Sequence, residues 1–323
     1  VRSLARMKVA SVKKQRFASL RRPMGVRYAI LLAAVGLCGC TTATVVPLHY
    51  ATIGGKRLEV PLVDGSMGGQ ATKMIVDTGA ATTAIDERLA AAARLPIVTT
   101  SGKASAAGGE SFALRRVDRP ALRVGGFALA IVALPALVIQ LPDVLAQLGI
   151  GAVLSPQRIY ADRAVVLDLP ASQLLATSAR TATRRLQRVA GTEWEGHLCR
   201  TDGDSGIGGR AFVVSAVIDA VATRLVVDTG ANQTTLFDDT EVGRRLAVGA
   251  VASGHVGDAA GVRAAQKSRA TIALAGRTFP LDVVLAPGRR SADCGTDGQL
   301  GMDVLHACVL VIDGERLRAR CAD

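Results

Sequence analysis

Two identical quartets, Asp77-Thr78-Gly79-Ala80 and Asp228-Thr229-Gly230-Ala231, each follow an apolar run, Met74-Ile75-Val76 in one case and Leu225-Val226-Val227 in the other. Asp and Gly are ordinary turn residues, and one such quartet alone reads as a surface turn. Two copies point to chemistry that needs a pair of carboxyls. An ionised carboxylate can take a proton from water while a protonated partner donates to a carbonyl oxygen, which is enough to hydrolyse an amide without a nucleophilic side chain. Held close together, two carboxyls cannot both ionise easily and share one proton. The glycine lets the loop turn tightly and lets backbone N–H groups approach the carboxylates.

Such a pair needs equivalent supports, and the rest of the chain repeats. Ile53-Gly54-Gly55-Lys56 is answered by Ile207-Gly208-Gly209-Arg210, Val124-Gly125-Gly126-Phe127 by Leu274-Ala275-Gly276-Arg277-Thr278-Phe279, and Gln147-Leu148-Gly149-Ile150 by Gln299-Leu300-Gly301-Met302. A repeat of this length implies two domains of like fold. Within each copy the segments are short, β-branched and bounded by Gly, Asp or Pro. Strands are predicted at 58–63, 73–76, 127–132 and 165–169, then at 212–218, 224–227, 271–274 and 281–285, a mainly β pattern. Helical periodicity is brief, at 86–94 and 142–148. The organisation read from these patterns is an N-terminal lobe at 45–170, a partly helical linker at 171–195 and a C-terminal lobe at 196–323.

Each copy resembles one lobe of the pepsin and retropepsin superfamily of aspartic peptidases: an apolar strand running into Asp-Thr-Gly, a later Gly-rich segment and an apolar-Gly element near the end. The resemblance implies a two-lobed acid-protease fold with pseudo-two-fold symmetry and the active site between the lobes. It makes Asp77 and Asp228 the catalytic pair, and Thr78 and Thr229 residues that hydrogen-bond across to the opposite loop. Leu148-Gly149 and Leu300-Gly301 are expected to cross beneath the loops. Flaps are expected at 101–111, with Gly102, Gly108 and Gly109, and at 253–261, with Gly254, Gly257 and Gly261. Neither flap segment holds the Tyr of the pepsin flap, which brings the pattern nearer to retropepsins. Ala80 and Ala231 stand where pepsins usually carry Ser or Thr. Loss of those hydroxyl donors to the charged form is expected to raise the titration of the pair and give a mildly acidic optimum. No cofactor or metal is implied; the substrate would be an extended peptide or unfolded protein, and one chain supplying both halves implies a monomer. The rival reading is a non-catalytic lipoprotein that uses the same cleft to hold a peptide.

The formal charge of +12 does not indicate a nucleic-acid partner. Residues 1–40 hold nine Lys and Arg and no acid, and without them 30 basic side chains face 27 acidic ones. That segment reads as an export signal: a basic stretch, an apolar run from Tyr28 to Leu37 too short to span a bilayer, and Leu37-Cys38-Gly39-Cys40, which resembles a bacterial lipobox. Cys40 is thus the expected lipidation site, and Thr41 after it favours the periplasmic face of the outer membrane. An ordinary cleaved signal is the alternative. In an oxidising compartment the remaining Cys199, Cys294, Cys308 and Cys321 are expected to form two disulfides, with three pairings open. His49, His197, His255 and His306 lack ligand spacing, so a metal site is not expected. Gly203-Asp204-Ser205-Gly206 resembles the nucleophile segment of trypsin-like peptidases, but no matching His and Asp contexts precede it, and it reads as a polar turn.

Overall fold

The computed structural model describes residues 44–105, 111–118, 120–125, 127–128, 135–159, 163–201, 209–258, 261–288 and 294–322. Cys40, Gly108, Gly109 and Gly203-Asp204-Ser205-Gly206 lie outside those residues. The first copy begins with β1 (Thr44–Pro47), a small hairpin of β2 (Thr52–Ile53) and β3 (Lys56–Arg57), then β4 (Leu62–Met67), β5 (Gln70–Val76) and β6 (Ala84–Asp86). Helix α1 (Glu87–Ala92) leads to β7 (Ile97–Ser105), β8 (Ser111–Val117), β9 (Leu122–Val124), β10 (Phe127–Ala128) and β11 (Ala136–Ile139). Helix α2 (Asp143–Gln147), β12 (Ile150–Leu154), a 3-10 turn at Pro156–Arg158, β13 (Ala164–Asp168) and β14 (Gln173–Thr177) complete it. After helix α3 (Ala179–Gln187), the second copy runs through β15 (Glu193–Thr201), β16 (Gly209–Ile218), β17 (Val221–Val227), β18 (Thr235–Phe237), α4 (Glu241–Ala247), β19 (Val251–Asp258), β20 (Gly261–Leu274) and β21 (Arg277–Ala286). It ends with β22 (Gly298–Leu300), α5 (Met302–Leu305), β23 (Cys308–Asp313) and β24 (Arg316–Cys321).

The mainly β class predicted from sequence is observed, and the two copies repeat one strand order. In the first, the sheet runs β10-β9-β4-β5-β12-β6-β11-β8-β7; in the second, β16-β17-β22-β18-β21-β20-β19 follows the same path, and β20 turns back to pair with β16 as β9 pairs with β4. Strand β17 shows why such segments form: Val221, Thr223, Leu225 and Val227 are buried while Ala222 and Arg224 are exposed, the alternation of a half-buried strand. The predicted strand at 58–63 starts later, at Leu62. Pro61 has no N–H to give a ladder.

The two copies meet edge to edge. β13 and β23 pair antiparallel, Val166 opposite Val311, so that β1-β14-β13 continues directly into β23-β24-β15 in one sheet. All five residues of β13 are buried; each Val or Leu removed from water in this way stabilises by about 1.5–3 kcal/mol. A single cluster of buried side chains joins Met74, Val76 and Leu154 of one copy to Val227, Leu300 and Leu310 of the other.

Residues 173–177, read from sequence as linker, form β14, which pairs with both β1 and β13. Leu174 and Leu175 are both buried, one against each face, which a tether would not achieve. The connection itself is α3, capped by Ser178, whose hydroxyl accepts from Thr181 N–H, and seated through Ala182 and Leu186. Of the three disulfide pairings, the fold selects Cys199–Cys294 and Cys308–Cys321. The second links directly opposed residues of β23 and β24; the first ties β15 to the chain entering β22.

Candidate active site

Each quartet begins where a strand ends against a parallel neighbour. Asp77 follows β5 and donates its N–H to the Leu154 carbonyl at 2.9 Å; Asp228 follows β17 and donates to Leu300 at 3.0 Å. Because β12 and β22 terminate at those leucines, both aspartates leave their sheets at equivalent points and turn toward one another.

The threonines lock the loops together. Thr78 Oγ1 donates to the Val227 carbonyl at 2.6 Å and accepts from Thr229 N–H at 3.0 Å. Thr229 Oγ1 returns the arrangement, donating to Val76 at 2.7 Å and accepting from Thr78 N–H at 3.1 Å. Both side chains are fully buried, so every donor and acceptor of the reciprocal set is satisfied.

The glycines explain how close the carboxyls come. A Cβ built on Gly79 would lie 2.4 Å from Asp228 Cγ, and one on Gly230 would lie 2.4 Å from Asp77 Cγ. Each carboxyl therefore rests on the opposite glycine. Asp77 Oδ1 accepts from Gly79 N–H at 2.7 Å and Ala80 N–H at 3.0 Å; Asp228 Oδ1 accepts from Gly230 at 2.8 Å and Ala231 at 3.0 Å. Ala80 and Ala231 thus contribute backbone donors and no hydroxyl. Burial raises Asp77, against the lowering effect of the hydrogen bonds from Asp228, Ala80, Gly79 and Gly230. Asp228 is pushed well above the usual carboxylate range by burial, then by the charge and hydrogen bond of Asp77.

Two residues at the site carry no role in the sequence reading. Gln299 Nε2 donates to Asp228 Oδ2 at 2.6 Å, so on one side the donor missing at Ala231 is supplied from β22. Gln157, buried after β12, donates through Nε2 to Ala80 O at 2.7 Å and Arg210 O at 2.8 Å, joining the first loop to the start of β16. In sequence Gln299 served only as a spacing landmark. A polar residue one place before the strand-terminal leucine was the available signal.

The landmark itself shifts. Leu148-Gly149 does not lie beneath the first loop; Gly149, at φ 74°, ends the turn after α2 and accepts from Lys73 N–H. The true counterpart of Leu300 is Leu154, since Leu154 pairs with Val76 as Leu300 pairs with Val227. Ser155 then stands where the second copy has Gly301, and that lost glycine disguised the match.

The flap segments form hairpins at equivalent places, β7 with β8 and β19 with β20. Gly254 lies at the irregularity in β19 with φ 96°, and Gly257 is paired with Val262. The loops also touch across the lobes beyond the threonines: Glu59 N–H donates to Asn232 Oδ1 at 2.7 Å, and Arg210 N–H to Ala81 O at 3.2 Å.

Residues 63–153, from β4 to the penultimate residue of β12, match the aspartyl protease family model. That match contains the first Asp-Thr-Gly-Ala loop, and the second loop repeats its quartet and its parallel strand pairing. Among solved structures, that of EIAV protease complexed with the inhibitor HBY-793 is 17% identical, with alignment over 29% of this chain and 83% of that one and a TM-score of 0.24. A comparison with curated proteins gives no match.

Proposed function

We propose that this chain is an aspartic endopeptidase in which Asp77 and Asp228 activate a water molecule against a peptide carbonyl. The ionised carboxyl takes a proton from the water, whose oxygen bonds to the carbonyl carbon. The protonated carboxyl gives its proton to the carbonyl oxygen. Collapse of the tetrahedral species breaks the C–N bond: the amine leaves with the proton taken from water, and the other carboxyl recovers its own, so that peptide and water become acid and amine. The observation that carries this reading is the mutual contact of two carboxyls, each resting on the opposite loop's glycine and each held by two backbone N–H groups. Four buried threonine hydrogen bonds support it by holding the loops to a fixed separation.

An extended peptide or an unfolded segment is the substrate class in keeping with a cleft between two lobes. One chain supplying both loops favours action as a monomer. Lipidation at Cys40, with the chain facing the periplasm, belongs to the same proposal and rests on the sequence of residues 1–40 alone. The test is cleavage of a reduced, unfolded protein by the full chain, read by mass spectrometry of the products. Asp77→Asn and Asp228→Asn should each abolish the new termini; unchanged cleavage in both variants would overturn the reading.

A further inference from the structure

The sheet that joins the two copies has two faces. Leu167, Leu310 and Leu317 point into the core shared with Val76 and Val227, the residues just before the aspartates. Val166, Val309 and Val311 point the other way, against Ala182 and Leu186 of α3. The face that carries α3 is therefore the one away from the carboxyl pair.

That face is crowded with arginine. Arg180, Arg184 and Arg188 recur every four residues along α3 and are exposed, on the side away from the buried Ala182 and Leu186. Arg316, Arg318 and Arg320 alternate with the buried Leu317 and Ala319 on β24, and Arg318 reaches Thr183 of α3 at 2.7 Å. With Arg185 the face holds seven arginines, against four acids: Asp168, Glu193, Glu195 and Asp313. Asp168 takes Arg185, and Glu193 takes Arg318 and Arg320. Arg180, Arg184, Arg188 and Arg316 have no ion-pair partner among the described residues. After residue 40 the chain carries 30 basic and 27 acidic side chains, so the remainder is balanced and the whole excess of three sits on this face. Like charges four apart on a helix repel, and a cation in the first turn opposes the helix dipole. Helices α1, α2, α4 and α5 have Glu87, Asp143, Glu241 and Asp303 in their first turns, whereas α3 has Arg180 and no acid.

We infer that the α3 and β24 face is a docking surface for an anionic bilayer, whose headgroups lie against the arginines while the carboxyl pair faces away. The choice of a bilayer rests on the membrane placement proposed above and on where the chain enters this sheet. Strand β1 forms its edge, and Val45, opposite Leu175, lies on the α3 side and is 46% exposed. The four residues from Cys40 to Thr44 span at most about 14 Å, so an acyl group on Cys40 would keep this edge at the lipid surface. Arginines beside an anionic leaflet then add to the hold of the anchor.

The experiment is co-sedimentation of residues 41–323, a compact unit of their own, with vesicles of phosphatidylcholine alone or mixed with phosphatidylglycerol. At low salt the protein should bind the anionic vesicles and not the neutral ones, and about 1 M salt should release it. Changing Arg180, Arg184 and Arg188 together to Gln should weaken partitioning about 100-fold, close to fivefold per arginine. Lys73→Gln, Arg244→Gln and Arg269→Gln together remove as much charge elsewhere and should weaken it by less than about threefold. Circular dichroism matching the parent establishes that the variants are folded; should a triple variant fail to fold, Arg184→Gln alone is expected to lose about fivefold. Equal losses in the two triple variants, an unmoved Arg184→Gln, equal binding to both vesicles or none to either overturns the inference. So does tighter binding of duplex DNA than of anionic vesicles at the same salt. The assay uses neither turnover nor an acyl group, so an inactive or unlipidated chain would sink the earlier proposal without deciding this one.

Discussion

The first lobe and the second build the same loop with different neighbours. At the end of the strand that follows each loop, the first lobe places Asp86 where the second has Phe237, since Ile139 pairs with one and Ala286 with the other. Asp86 caps α1 through Arg88 N–H and accepts from Arg88 Nε at 2.8 Å and Leu141 N–H at 2.9 Å. Phe237 instead packs so closely on Gly288 that a Cβ there would lie 2.1 Å from its ring. The second lobe also carries both disulfides found among the described residues, and the first carries none. The core of each lobe thus tolerates wide change in how it is secured, whereas the four threonine bonds and the two glycine contacts at the centre are duplicated almost atom for atom. What must be alike is the part that brings the carboxyls together.

The largest expected effect tests that likeness directly. Asp77→Asn and Asp228→Asn should each lower kcat/KM by about 10²–10⁴-fold, the weight of a positioned proton-transfer group; one variant retaining activity would show that the lobes are not equal partners. Next comes the staple that the first lobe lacks. Replacing Cys199 and Cys294 with Ala removes a link of sequence separation 95, against 13 for Cys308–Cys321. Loop-closure entropy then predicts losses of about 4–5 and about 3 kcal/mol respectively in denaturant unfolding. Equal losses would mean that the native contacts, not the unfolded chain, set the contribution.

Smaller, and symmetric, is the effect of the threonines. Thr78→Val and Thr229→Val keep shape but leave a buried N–H and a buried carbonyl unpaired, which should cost about 2–3 kcal/mol each. A difference larger than about 1 kcal/mol between them would break the equivalence of the two loops.

The smallest effect has opposite signs at two carboxyls. Asp228 is raised by burial and by Asp77, so its favourable contribution is complete below the ordinary carboxyl range and disappears as pH rises through its folded value. Asp228→Asn should therefore raise Tm by a few degrees at pH 7 and lose that advantage at pH 4. For Asp86, burial pushes upward, but the bonds from Arg88 and Leu141 N–H hold it below its usual value. Its contribution is present above the ordinary carboxyl range and is lost as pH falls through the folded value, so Asp86→Asn should lower Tm at pH 7. Thermal unfolding at the two pH values separates the cases.

The centre of the molecule was legible in the sequence because it is duplicated. Asp77-Thr78-Gly79-Ala80 and Asp228-Thr229-Gly230-Ala231 repeat letter for letter, and the apolar runs before them end strands, as predicted at 73–76 and 224–227. Elements that diverged between copies were harder to place. Leu154 was hidden behind Leu148-Gly149, since Ser155 had replaced the glycine that marks Leu300-Gly301. The strand β14 was obscured by its Ala, Ser and Thr neighbours, although Leu174 and Leu175 bury on opposite faces. Gln299 could be seen but not understood: its importance lies in a single 2.6 Å contact with a residue 71 positions away.

The join between β14 and β15 has a consequence for inheritance. In a dimer of identical halves, any change in the gene appears on both sides of the axis at once, so a substitution useful beside one carboxyl is imposed beside the other. Once α3 links the halves into one reading frame, a glutamine can arise at 299 while a valine stays at 153, and each half of the machine can be selected for a separate task.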